Sequence, residues 1–231
     1  EKMEKYLYPT DILLPRFSLE PDKMQRWACI ACDQYTSEPE YWRAAEEFVG
    51  DAPSALKVIL PELYLDEAEK RTAKINSLMG DYLKNTLVSH ESSMIYLERR
   101  LKNGKIRYGL VGAVDLEQYD YNKGAQSLIR ATEGTVLERI PPRVKIREGA
   151  IIELPHIMLL FDDKQNKIIG DLYAKRDKLE KIYDFELNMG GGHLTGYKVT
   201  NTDEVIKQFR KILGGAKMMF AVGDGNHSLA T

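Results

Sequence analysis

The stretch Met218-Met219-Phe220-Ala221-Val222-Gly223-Asp224-Gly225-Asn226-His227-Ser228-Leu229-Ala230-Thr231 decides how this chain is read. An apolar run leads into a glycine-bracketed turn carrying Asp, Asn and His, and then into residues that open a helix. This is a strand–loop–helix junction, where backbone N–H groups and the positive end of a helix dipole can hold an anion, usually a phosphate. The few residues past the turn cannot form a stable helix alone, because nucleation is costly and roughly a dozen residues are needed for marginal stability. We therefore expect the 231 residues to be a single α+β domain, or the N-terminal portion of a longer chain.

Upstream of the junction, Asn201 with Glu204 three residues later marks a helix running to Leu213 and stopped by Gly214-Gly215. Ile182 to Leu187 and Gly196 to Val199 read as strands joined through Gly190-Gly191-Gly192-His193. Ile169 to Leu179 reads as a helix, Asp162 to Asn166 as a turn and Ile151 to Phe161 as a strand. Between Glu117 and Gly149 the pattern weakens and Pro141-Pro142 interrupts it; long irregular stretches are often functional. Asn103-Gly104 predicts a type I′ hairpin between Ser93–Leu101 and Lys105–Leu116.

Further back, helical spacing covers 67 to about 86 after an acidic cap at Asp66. Leu56 to Leu60 and Trp27 to Ala31 read as short strands. Ser37-Glu38-Pro39-Glu40 has the form of a capping box for a helix ending at Gly50. Hairpins and strand–helix alternations together argue for an α+β fold with a mixed β-sheet and flanking helices. A Rossmann fold is disfavoured, because the Gly223 to Ser228 motif lacks a third glycine and no βαβ unit follows it.

With 43% hydrophobic and 29% charged residues the chain can build a core. Its 33 basic and 35 acidic side chains leave a net charge of −2, so no bulk positive field draws in nucleic acid. There is no apolar run of membrane-spanning length, roughly eighteen residues, so no membrane partner is expected. Glu1-Lys2-Met3-Glu4-Lys5 shows no apolar signal segment. Two cysteines fit a reducing compartment, and we read the protein as cytoplasmic.

Four constellations carry candidate chemistry. In the terminal loop, Gly223 and Gly225 would allow close backbone approach, Asn226 and Ser228 would lie against a phosphate, and Asp224 would hold a metal ion or hydroxyl. His227 would move a proton; a turn with Ser228 as a plain cap explains the same residues. In Ile129-Arg130-Ala131-Thr132-Glu133-Gly134-Thr135, followed by Arg139, Arg143 and Arg147, clustered arginines suit phosphate and Glu133 suits a base or metal ligand. A solvated basic stretch is the alternative. Cys29-Ile30-Ala31-Cys32 has zinc or redox spacing, but without a second ligand pair it reads as buried thiols. His193 in its glycine loop and Asp33 after the cysteines could line a cleft, or simply belong to turns. No dedicated metal site is predicted.

The Trp27 to Tyr35 segment, Ile129 to Thr135 and Gly223 to Thr231 together resemble the bacterial domain-of-unknown-function family 1015, which is in turn similar to the ParB/sulfiredoxin superfamily. The resemblance runs along essentially the whole chain. Many members carry Arg-Pro-His-Glu-Arg-Thr in the middle segment, matched here by Arg130, Glu133 and Thr135, and Asp-Gly-His-His-Arg in the later one, matched by Asp224, Gly225 and His227. Ser228 stands where those members have arginine, so another cation would have to meet a phosphate. The resemblance implies a ParB/sulfiredoxin-like core and a nucleotide or phosphate site. Arg130, Thr135 and the loop would bind phosphate, a nucleotide with Mg²⁺ would be the cofactor or substrate, and Asp224, His227 and Glu133 would do the chemistry. The expected function is a phosphotransferase or nucleotide hydrolase. The alternatives are a non-catalytic, nucleotide-switched binding module and a metal-dependent hydrolase built on Asp224, His227 and His193.

Overall fold

The computed structural model describes residues 6–30, 32–35, 38–154 and 156–231, and of Cys32 and Asp33 only the backbone. Strands β1 (Leu7–Tyr8) and β2 (Thr10–Pro15) precede helix α1 (Pro21–Trp27). Of the strand expected over 27–31, Trp27 instead ends this helix and 28–30 are irregular, while residue 31 lies outside the described residues. Pro21 at the start with Asp22 beside it sets up that helix, and Met24 is its buried residue. Helix α2 (Pro39–Val49) ends at Gly50 as expected, while the proposed cap Ser37 lies outside the described residues.

The expected strand at 56–60 is instead a 3-10 turn over Ala55–Val58, because Ser54 accepts the Leu56 N–H and caps it. Ser54 is fully buried, its hydroxyl donates to the Trp27 carbonyl, and its backbone N–H donates to the Tyr82 hydroxyl of helix α3 (Ala68–Asn85).

Strand β3 (Leu87–Arg100) folds back on β4 (Ile106–Val111), followed by β5 (Ala113–Val114). The hairpin is the expected one, but its turn is not type I′. The Gly104 N–H closes onto the Leu101 carbonyl, and Gly104 has a positive φ whereas Asn103 does not. That is the backbone of a type I turn followed by a left-handed glycine.

Strands β6 (Tyr119–Asp120) and β7 (Ile129–Arg130) lead to helix α4 (Ile140–Arg147). Pro141-Pro142 starts this helix rather than interrupting the chain, since proline is tolerated where the first N–H groups have no partner. Strand β8 covers Met158–Leu160, shorter than expected, and helix α5 (Ile168–Lys175) follows. Strands β9 (Glu180–Leu187) and β10 (Gly192–Val199), helix α6 (Thr202–Leu213), strand β11 (Phe220–Asp224) and helix α7 (Asn226–Ala230) complete the order. The Asn201 side chain accepts the Glu204 N–H, as its spacing predicted.

The architecture is α+β. An antiparallel sheet is ordered β2-β3-β10-β9, with β4 on β3, and a separate mixed sheet is ordered β6-β7-β11-β8. Alternation along β3 explains its continuous buried run: Met94 and Tyr96 enter one core cluster while Ile95 enters another, so both faces of the sheet are covered. The first cluster joins the two sheets. It packs Met94, Tyr96 and Val199 against Ile129, Phe220 and Val222, with Val205, Ile206, Phe209 and Leu213 of α6 filling the space. This packing fixes β7 and β11, and with them everything at their carboxyl ends. Among the described residues no helix is long and apolar enough to cross a membrane.

Candidate functional site

Strands β6, β7 and β11 run parallel, so the chain leaves β7 and β11 at the same edge of the mixed sheet. Neighbouring carboxyl ends of parallel strands form a crevice between the segments that follow them. Here those segments are 131–136 and 225–230. Strand β8 is antiparallel to β11 and pairs Met158 with Asp224, so its incoming end, with His156, reaches the same edge.

Gly225 makes the reversal from β11 into α7. Its φ is +86°, which strains any other residue, and a Cβ there would lie 3.2 Å from the Ile157 backbone, a tight contact that Ile157 would have to relieve. Gly223 is placed differently from its expected turn position: it lies within β11, at the register shift between Val222 and Asp224. The Gly225 N–H donates to Asp224 Oδ1 at 2.9 Å.

Asn226 is buried, and its Oδ1 accepts the Thr132 N–H at 3.0 Å while its Nδ2 donates to Thr132 Oγ1 at 3.3 Å. Thr132 Oγ1 in turn donates to the Val222 carbonyl at 2.6 Å. His227 Nε2 accepts the Val136 N–H at 3.0 Å, which leaves the ring proton on Nδ1, 3.8 Å from Glu133 Oε1. Ser228 is buried. Arg147 donates to its Oγ at 2.7 Å and to its carbonyl at 3.2 Å, and His156 Nε2 lies 2.5 Å from the same Oγ.

The structure thus brings Glu133, Asp224, Gly225, Asn226, His227 and Ser228 together, and Thr135 sits in the same segment with its Oγ1 buried and without a hydrogen bond partner. Arg130 is turned away. Its Nε donates to the Ser127 carbonyl and its Nη2 to the Lys217 carbonyl, both at 2.8 Å, so it fastens the opposite end of β7 and β11. Arg147 stands where a cation is needed beside Ser228. Sequence placed it in an arginine cluster but could not choose among the three, since Arg143 instead pairs with Glu62. Thr132 and His156 were not singled out, because each becomes visible only when β7, β8 and β11 are aligned.

His193 belongs to strand β10, not to a loop, and not to this cluster. Its Nε2 faces Asp184 Oδ1 at 2.5 Å and its Nδ1 faces Glu186 Oε1 at 2.7 Å. Burial pulls this imidazole down, but the hydrogen bonds to the two carboxylates outweigh it and raise the ring above its ordinary value. Burial likewise raises the Asp184 carboxyl, and bonds from His193, Thr195 and Lys181 outweigh it and bring it down. Among the described residues no group of three or more His, Cys, Asp or Glu could hold a metal ion. The Asp33 side chain lies outside the described residues.

Residues 13–231 match a family model described as "Protein of unknown function (DUF1015)". No curated protein and no solved structure gives a significant match.

Proposed function

The chain belongs to the DUF1015 family, and we propose that it is an intracellular enzyme that binds a nucleotide or other phosphorylated ligand in the crevice after β7 and β11 and transfers or hydrolyses its phosphoryl group. The observation that carries this reading is the convergence of the Arg147 guanidinium and the His156 ring on Ser228, beside His227 and Asp224 of the same loop, at one end of a parallel strand pair. Arg147 takes the phosphate-neutralising role first expected of Arg130, because its guanidinium fork suits phosphate oxygens and already lies at the loop. His227 and Glu133 are the proton-transfer pair.

A Mg²⁺ would enter with the phosphates, needing only one or two protein carboxylates. Asp224, with Oδ1 held by the Gly225 N–H, fits that demand. Kinship with the ParB/sulfiredoxin superfamily belongs to this reading and is what favours a nucleotide over another phosphate ester. Isothermal titration with ATP, ADP, CTP and GTP in the presence of Mg²⁺ tests it. We expect saturable binding of at least one, weakened at least tenfold in R147A; no heat from any of the four contradicts it. Binding without turnover, accompanied by salt-dependent DNA affinity, would instead identify a nucleotide-switched binding module.

A further inference from the structure

We infer that Ser228 is a covalent phosphoryl acceptor, with His156 as the base that takes its proton and Arg147 as the cation that meets the charge left behind. Ser228 takes this role only if the crevice binds a phosphorylated ligand, as proposed above.

His156 Nδ1 is 3.0 Å from the Leu154 carbonyl oxygen, which can only accept, so Nδ1 carries a proton, and in the neutral ring Nε2 presents its lone pair. That lone pair faces Ser228 Oγ at 2.5 Å, so the serine O–H donates to it. The oxygen's second partner is Arg147 Nη2, a donor at 2.7 Å. A hydroxyl that gives its proton to a neutral imidazole while accepting from a guanidinium is set up to ionise under attack. The nucleophile lies within hydrogen-bond reach of its base, and the base within reach of the carbonyl that orients it. A serine serving only as a helix cap would spend its oxygen on the backbone N–H groups of its own helix. Ser228 spends it on side chains 81 and 72 residues away in sequence. Ser228 itself is 6% exposed, His156 is half-buried and Arg147 is exposed, so the serine is held between them at the edge of the crevice.

Ser228 Oγ attacks the terminal phosphorus of a nucleoside triphosphate; the Oγ–P bond forms and the bond from that phosphorus to the bridging oxygen breaks. The nucleoside diphosphate leaves with the electron pair, and the serine proton passes to His156 Nε2. The phosphoserine is then flanked by an imidazolium and by Arg147, which can hold two of its oxygens. When water or an acceptor hydroxyl attacks the same phosphorus, the Oγ–P bond breaks, His156 returns its proton to Oγ, and the acceptor's proton leaves with the product.

The test is rapid-quench mass spectrometry of the full chain mixed with ATP, GTP or CTP and Mg²⁺, alongside calorimetric binding and steady-state turnover of the same nucleotides. We expect one phosphoryl group on the Ser228 peptide, no label and no turnover in S228A, and labelling slowed roughly a hundredfold or more in H156Q. Labelling of the wild-type chain needs no variant to fold, and a phosphoryl group found on another residue with none on Ser228 overturns its role. A nucleotide that binds and turns over undiminished in S228A overturns the role of Ser228 while the nucleotide reading stands. Failure of all three to bind the wild-type chain overturns the role of Ser228, and with ADP silent as well it overturns the nucleotide reading too.

Discussion

The Thr132 N–H donates to Asn226 Oδ1 at 3.0 Å, and with the return bond from Asn226 Nδ2 this ties the segment after β7 to the helix after β11. The two residues are 94 positions apart, so this is a long-range clasp across the crevice, not a local turn. Removing it should loosen the 131–136 segment without disturbing the antiparallel sheet. For Asn226→Ala we expect a loss of ~1–2 kcal/mol in urea unfolding, the cost of leaving hydrogen-bonding groups unmatched near a buried site. Amide exchange should quicken over 131–136 and stay unchanged in β9 and β10. Uniform quickening across both sheets would show that the bond is not a local clasp.

His193 should give the protein a pH-dependent stability unrelated to the crevice. Its raised ring contributes fully below its ordinary value of 6.5 and loses that contribution as pH rises through the folded value. Asp184, whose carboxyl is brought down, contributes above its ordinary 3.8 and loses that contribution as pH falls through the folded value. Both are present between 3.8 and 6.5. Because the two side chains are 35% and 40% exposed, screening leaves an effect of under about 1 kcal/mol. Denaturant titrations at pH 6 and pH 9 should show the wild-type chain losing more stability on the alkaline side than H193N. Parallel pH profiles for the two would refute the assignment.

Gly196 lies directly across from Tyr183 in the β9–β10 pair, and a Cβ on it would sit 2.2 Å from the tyrosine ring. Tyr183 is buried, so its ring lies over the glycine and has little room to retreat. Gly196→Ala should therefore destabilise by ~1–3 kcal/mol, the usual cost of overfilling a packed interior. A neutral or stabilising result by thermal or urea unfolding would show that the ring has slack.

What the sequence made legible was local. The Asn201–Glu204 cap, the Gly50 stop of α2 and the Asn103-Gly104 hairpin are decided by residues a few positions apart, and the structure keeps each, with only the turn type changed. The misread strands at 27–31 and 56–60 are apolar runs whose backbone was decided by neighbours: Pro21 starts a helix that runs into Trp27, and buried Ser54 caps a 3-10 turn. Short apolar runs look alike in helices and strands, so periodicity could not separate them. In the site, the Gly225 to Ser228 loop and Glu133 were visible because their residue types are distinctive in sequence. His156 and Thr132 were not, because only the parallel pairing of β7 with β11 and the antiparallel pairing of β8 bring them together. Arg130 was chosen over Arg147 because no local signal reveals which carbonyls or hydroxyls a guanidinium will meet.

The most direct test of where the ligand binds is a backbone NMR titration of the full chain with Mg²⁺ and the nucleotide that calorimetry identifies. The shifted amides should fall in 131–136, 224–228 and the end of α4 at Arg147, with β9 and β10 around His193 unmoved. Shifts concentrated elsewhere, with the 224–228 amides unchanged at saturation, would contradict this placement.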